Sequence, residues 1–106
     1  MSNDPTLNPE TRNLIAGRLV DAENGATFPN VNPATEEVIG VTADATRADM
    51  ECAIAAARRA FDATDWATNH AFRARCLRQF YDAMVAAKDT LRPIVVAEAG
   101  SPILLA

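Results

Sequence analysis

The chain has 106 residues, 10 Lys+Arg against 14 Asp+Glu and a formal net charge of −4, so it holds one domain at most and lacks the clustered cations of a nucleic-acid or anionic-membrane surface. Apolar residues make up 49% of it, but much of that share is alanine, which buries little area per side chain, so any core is thin. No run approaches the ~18 consecutive apolar residues of a membrane span, and the Met1 to Thr6 start has neither the cationic nor the apolar part of a secretion signal; a cytoplasmic protein with no membrane or nucleic-acid partner is expected.

Residues 1–12 are polar, contain Pro5 and Pro9 and show no apolar period, which predicts a flexible arm. Leu14-Ile15 and Leu19-Val20 flank Ala16-Gly17-Arg18, and a glycine between two β-prone runs predicts a hairpin because it accepts the positive φ of a tight turn. Asn24-Gly25 marks a second turn. Thr27 to Asn32 alternates Phe28 and Val31 with polar residues and reads as a third strand. Pro33 then fixes its own φ and keeps Asn32 out of helical geometry, so the chain turns through Asn32-Pro33-Ala34-Thr35 and resumes as a strand over Glu37 to Ala43. Val38, Ile39 and Val41 stiffen that strand, and Gly40 is the expected bulge or close approach.

Thr46-Arg47-Ala48-Asp49 places a hydroxyl and a carboxylate three residues apart, the pattern of a helix N-terminus. Met50, Ile54, Ala57 and Phe61 follow at helical spacing and form the expected core stripe, with Arg47, Glu51, Arg58 and Asp62 mostly opposite. The pattern breaks over Thr64 to Asn69 around Trp66, where packing with Phe61 and Phe72 is expected. A second helix over His70 to Lys88 carries Phe72, Cys76, Phe80 and Met84 beside Leu77, Tyr81 and Val85. That stripe is the wider of the two and predicts the better buried helix, with Arg73, Arg75, Arg78 and Asp82 turned to solvent. Asp89 or Thr90 can cap a third helix with Pro93 in its first turn, and Gly100 ends it. Ile94, Val95, Ile103, Leu104 and Leu105 would form an uncovered apolar surface at the chain end, as expected of a piece of something longer.

Constellations that carry chemistry are sparse. No G-x-G-x-x-G, G-x4-G-K-[ST] or G-x-S-x-G occurs, and the adjacent carboxylates Glu36-Glu37 point to opposite faces of a strand. Cys52, Cys76 and the single histidine, His70, lack the paired spacing of a zinc site, and thiols in helices beside apolar neighbours are expected to behave as small buried hydrophobes. A thiol enzyme using Cys76 and His70 is conceivable only through the nearby Arg73, Arg75 and Arg78, which could stabilise a thiolate. No catalytic, cofactor-binding or metal-binding residue is assigned.

The order of segments resembles the N-terminal segment of the aldehyde dehydrogenase superfamily. Residues 14–20 resemble its opening strand, turn and strand. Gly25-Ala26-Thr27-Phe28-Pro29-Asn30-Val31-Asn32-Pro33-Ala34-Thr35, with Glu37-Val38-Ile39 after it, is similar to the family's "G-x-T-F-x-V-x-N-P-A-T" run. Residues 53–61 with Trp66, Arg75-Cys76-Leu77 and residues 97–102 resemble its "A-x-x-A-A-x-x-A-F" helix, its "R-x-x-x-L" helix and its "E-x-G-x-P" segment. The resemblance implies an α/β fold: short antiparallel strands over about 14–43, followed by two or three helices over about 46–99, with residues 13–106 forming an incomplete N-terminal portion of an NAD(P)-binding domain. It also implies a homo-oligomeric enzyme that oxidises aldehydes to acids through a nucleophilic cysteine, a glutamate base and NAD or NADP. Neither thiol stands in the family's Gly-Gln-x-Cys context, and Glu98 belongs to the "E-x-G-x-P" segment rather than being the base. The fragment alone is therefore expected to bind no cofactor and to be inactive, its partner being the remainder of an aldehyde dehydrogenase subunit or a homologous chain. The alternative is a stand-alone, non-catalytic interaction module derived from that family.

Overall fold

The computed structural model describes residues 7–104. Four short strands precede three helices: β1 (Asn13–Ile15), β2 (Arg18–Val20), β3 (Thr27–Val31), β4 (Val38–Ala43), α1 (Arg47–Ala63), α2 (His70–Ala86) and α3 (Lys88–Ala99). The strands make two separate antiparallel pairs, β1 with β2 and β3 with β4, as the turn signals require. Ala16 and Gly17 both take positive φ, 53° and 76°, and form the two-residue turn whose twist matches that of the flanking strands. In the second pair Asn30 lies opposite Gly40 and Val31 opposite Val38, so Ile39 is the extra residue of a bulge beside the glycine expected to carry it.

The Asn32-Pro33-Ala34-Thr35 turn is held by its own asparagine. Asn32 Oδ1 accepts from the amides of Ala34 and Thr35 at 2.8 and 3.1 Å, and the Asn32 carbonyl accepts from the Glu36 amide at 2.8 Å. This is how a short amide side chain substitutes for a backbone turn. The turn lies against the far end of the chain: Asn30 Nδ2 donates to Glu98 Oε1 at 2.9 Å, and a Cβ built on Gly100 would come within 3.3 Å of Pro33 Cγ. Gly100 closes α3 in the left-handed region, φ 71°, with its amide donating to the Val96 carbonyl. Gly100→Ala combines that close approach with left-handed strain, and will cost about 1–2 kcal/mol in a denaturant melt.

Residues 1–6 and Leu105 lie outside the described residues. From Leu7 to Thr11 the chain has no regular element, yet the Thr11 carbonyl accepts from the Ala43 amide at 2.8 Å. Glu10 folds onto Arg12, Nε to Oε2 at 2.9 Å, and that side-chain hydrogen bond is the largest cause holding the Glu10 carboxyl down at about 2.

The helices depart from expectation in what they bury. The only buried apolar residues among those described are Ala22, Ala43 and Ala97. Toward β1, α1 turns its Ala53 and Ala56 side, together with the buried Asp49, while the Met50, Ile54, Phe61 stripe expected in the core points outward, Met50 and Ile54 being 59% and 60% exposed. The alanine side wins because a helix with no large side chain there can approach the small β1–β2 hairpin closely. No residue of α2 is buried, which reverses its expected rank: the stripe is wide, but no described element covers it. The second helix ends at Ala86 rather than Lys88, and α3 begins at once with Ala87 as its N-cap. Pro93 consequently sits in the second turn rather than the first. The radius of gyration is 16.9 Å, against about 13 Å for a compact chain of 100 residues, because α2 and α3 project without a layer to fold back upon.

Candidate functional site

A buried polar residue that joins two elements is Asp49, placed by the first turn of α1. Thr46 and Asp49 complete the expected capping box: the Asp49 amide donates to Thr46 Oγ1 at 3.1 Å, and the Thr46 amide donates to Asp49 Oδ2 at 2.8 Å. The same carboxylate also accepts the Glu23 amide, 3.2 Å to each oxygen, and so ties α1 to the turn between β2 and β3. The Thr46 and Glu23 backbone donors, in that order, lower the Asp49 pKa against the opposing effect of burial. With two backbone amides donating to it, this carboxylate is a structural anchor. Its reach to Glu23 had no local signal, since the two residues lie 26 positions apart.

A second anchor is Arg73. Its Nη1 donates to the carbonyls of Trp66 and Ala67 at 2.8 and 2.9 Å, and its Nη2 meets His70 Nδ1. Arg73, expected to face solvent, is instead half-buried and secures the connection between α1 and α2. Asn69 caps α2 by accepting from the Phe72 amide at 2.9 Å, and Trp66 meets Phe72 edge to face with ring centroids 5.7 Å apart. Phe61, expected in the same aromatic corner, is exposed and lies under the Arg58 guanidinium.

These contacts leave no support for a thiol centre. His70 and Cys76 stand six positions apart on one helix, which separates them by ~9 Å along the axis and by about a third of a turn around it. Arg75 and Arg78 lie over the rings of Phe72 and Tyr81, and Arg73 is engaged with the loop, so the three arginines do not converge on a thiolate. Cys76 is half-buried, whereas Cys52 is exposed. The expectation that both thiols are buried therefore fails for Cys52, since no described element covers that side of α1. Among the described residues no group of three or more His, Cys, Asp or Glu side chains could hold a metal ion.

What the structure does assemble is apolar surface. On α1, Ile54, Ala57 and Phe61 line an open groove with the stem of Arg58. On α2, Leu77 and Phe80 are each 64% exposed, and Tyr81, Met84 and Val85 continue the surface. At the chain end Val95, Ile103 and Leu104 are exposed as expected, and Ile94 is half-buried. Isolated exposed hydrophobes are ordinary, but contiguous faces of this kind mark a surface that receives something.

Comparison with known proteins identifies the setting of these faces. The model of the aldehyde dehydrogenase family matches residues 19–106, and the chain belongs to that family. It is 34% identical over 97 residues to aldehyde dehydrogenase 1 of Tanacetum cinerariifolium, an alignment covering 91% of this chain and 19% of that protein. Among solved structures, the NAD-dependent aldehyde dehydrogenase of Sinorhizobium meliloti superposes with a TM-score of 0.83 at 37% identity, covering 97% of this chain and 21% of that one. The betaine aldehyde dehydrogenase of Staphylococcus aureus, solved with NAD+, gives a TM-score of 0.80 at 30% identity, covering 89% of this chain and 19% of that one. The chain thus spans about a fifth of the length of the relatives it matches.

Proposed function

We propose that this chain forms the N-terminal layer of the cofactor domain of an NAD(P)-dependent aldehyde dehydrogenase, its apolar faces seated against the remainder of the subunit in a homo-oligomeric enzyme that oxidises aldehydes to carboxylic acids. The observation that carries this reading is the exposed stripe on α2, in a chain that matches only about a fifth of its relatives' length. The layer supplies scaffolding and no catalytic or metal-binding group. No helix among the described residues is long and apolar enough to cross a membrane. The free thiols Cys52 and Cys76 suit the reducing cytoplasm.

The helix N-termini among the described residues do not suit the pyrophosphate of a nucleotide cofactor. Pyrophosphate binds where a helix N-terminus presents free amides to an anion. In α1 the Asp49 carboxylate and Thr46 Oγ1 already occupy that end. In α2 Asn69 Oδ1 does so, and α3 carries Asp89 in its first turn, where its charge opposes a phosphate. The family's cofactor, NAD or NADP, is accordingly held by parts of the subunit other than this layer.

The test is a chimera in which this chain replaces the matching segment of the Sinorhizobium meliloti enzyme. The chimera is expected to reduce NAD in the presence of aldehyde, while the isolated chain does not. A chimera that fails to fold would overturn the reading. So would turnover by the isolated chain that is lost in Cys52→Ser or Cys76→Ser, which would restore the thiol-enzyme alternative.

A further inference from the structure

The turn between β2 and β3 contains Glu23-Asn24-Gly25, and Asn24 is the one asparagine in the chain that a glycine follows. Asn8 and Asn32 precede prolines, which have no N–H, and the other asparagines precede residues whose own side chains shield the next amide. A glycine nitrogen has no such shield, because the absent Cβ lets other atoms approach its backbone closely. It can therefore attack the side-chain carbonyl of the asparagine before it. Asn24 and Gly25 are both exposed, and a Cβ built on Gly25 would meet nothing within 4 Å, so solvent reaches both partners. The folded turn restrains them. The Gly25 amide donates to the Ala22 carbonyl at 2.8 Å, and Asn24 Oδ1 accepts from the Ala26 amide at 3.0 Å. Both bonds must break before the Gly25 nitrogen can approach Asn24 Cγ. The neighbouring Glu23 fastens the same turn to α1: its amide donates to the Asp49 carboxylate at 3.2 Å, and its Oε2 accepts from Thr46 Oγ1 at 3.1 Å.

We infer that Asn24 is a site of spontaneous deamidation, and that the tie from Asp49 to this turn sets its rate. When the turn opens, the Gly25 nitrogen bonds to Asn24 Cγ, the Cγ–Nδ2 bond breaks, and ammonia leaves with the proton that Gly25 gives up. A cyclic imide remains. Water then adds to one of its two carbonyls, supplying the carboxyl oxygen and returning a proton to the Gly25 nitrogen. Breaking the new Cγ–N bond yields aspartate. Breaking the original backbone C–N bond yields isoaspartate, whose main chain runs through Cβ and Cγ. Aspartate keeps an oxygen for the Ala26 amide. Isoaspartate lengthens the turn by a backbone atom, so the Gly25 to Ala22 bond no longer closes, and the Glu23 amide is displaced from Asp49. The chemistry involves only this turn and the start of α1, and stands apart from the function proposed above.

The experiment incubates the full chain at neutral pH and follows Asn24 by mass spectrometry of its proteolytic fragment, beside a capped peptide covering residues 21–27. The peptide is expected to convert faster than the folded chain by about tenfold or more, since only locally opened molecules of the chain react. Asp49→Ala removes a charged hydrogen-bond acceptor from the turn and should speed conversion in the chain by about fivefold or more. If that variant does not fold, urea below the unfolding midpoint should speed conversion of the natural chain, with exchange at the Glu23 amide rising in step. The isoaspartate form, separated from the parent, should exchange the Glu23 amide about tenfold faster, whereas Asn24→Asp should not. A folded chain that converts as fast as the peptide overturns the protection. A folded Asp49→Ala chain that converts no faster than the natural one, or a rate indifferent to urea, overturns the control by Asp49. No conversion at Asn24 in either chain or peptide overturns the site itself.

Discussion

Asp49→Ala will release the first turn of α1 from the turn between β2 and β3, and will lower the denaturant midpoint of the chain by more than Thr46→Ala does. The Thr46 change removes one cap, worth about 1 kcal/mol in comparable helices, and the exposed hydrogen bond from Thr46 Oγ1 to Glu23 Oε2, while leaving the Asp49 carboxylate on both backbone amides. The Asp49 change removes the carboxylate that receives both the Thr46 and the Glu23 amides, so a helix cap and a contact across 26 positions are lost together. The same residue sets a pH dependence. Its pKa is lowered in the folded chain by those backbone donors, Thr46 first. The stabilisation it gives is therefore present above the ordinary aspartate pKa and fades as pH falls through the lowered folded value. Melts over the acid range should show this loss in the natural chain and a flatter profile in Asp49→Asn, whose amide has no charge to lose. An equal acid slope in both proteins would place the dependence elsewhere.

Phe80→Asp and Met84→Asp will have opposite consequences in two settings. In the isolated chain both side chains are exposed, so the changes remove apolar surface from water without opening a cavity, and the fold should persist with less self-association. In the chimera the same side chains should be covered. Each buried apolar side chain of this size contributes about 1.5–3 kcal/mol, equivalent to a factor of about ten to a hundred in a folding or docking equilibrium, and an uncompensated buried carboxylate adds to the loss. The chimera carrying either change should therefore melt well below its parent. A chimera indifferent to both would show that α2 does not face the rest of the subunit.

The elements of this fold were legible because their signals are local. Ala16-Gly17 needs only its own backbone to turn, Thr46 and Asp49 lie within one helical turn of each other, and Gly100 ends α3 by its own conformation. The direction in which each helix faces was not legible in the same way. The Met50, Ile54, Phe61 stripe shows which side of α1 gains from burial, but burial requires a second surface, and among the described residues the short β1–β2 hairpin is the main element against α1 and takes the alanine side. In α2 the same argument applies more strongly, since its stripe is wider and its cover among the described residues is less. Arg73 was misread for a related reason: its spacing marks a solvated face, whereas its hydrogen-bonding partners are backbone carbonyls of an irregular loop, which no side-chain pattern announces. The absence of paired ligand spacing, by contrast, could be read directly from where Cys52, His70 and Cys76 fall.

The described strands pair only as sequence neighbours, β1 with β2 and β3 with β4, and β1 joins β2 through only Ala16 and Gly17. Contact order is therefore low for the strand part of the fold, and hairpins of this kind close within about 1–10 μs, whereas a ribosome adds only about 5–20 residues per second. During synthesis these hairpins and helices will be complete long before hundreds of further residues of a full-length relative have emerged. In a full-length subunit of the kind proposed above, the nascent chain would hold Leu77, Phe80 and Met84 outward for many seconds, a face of the kind that chaperones shield on the ribosome.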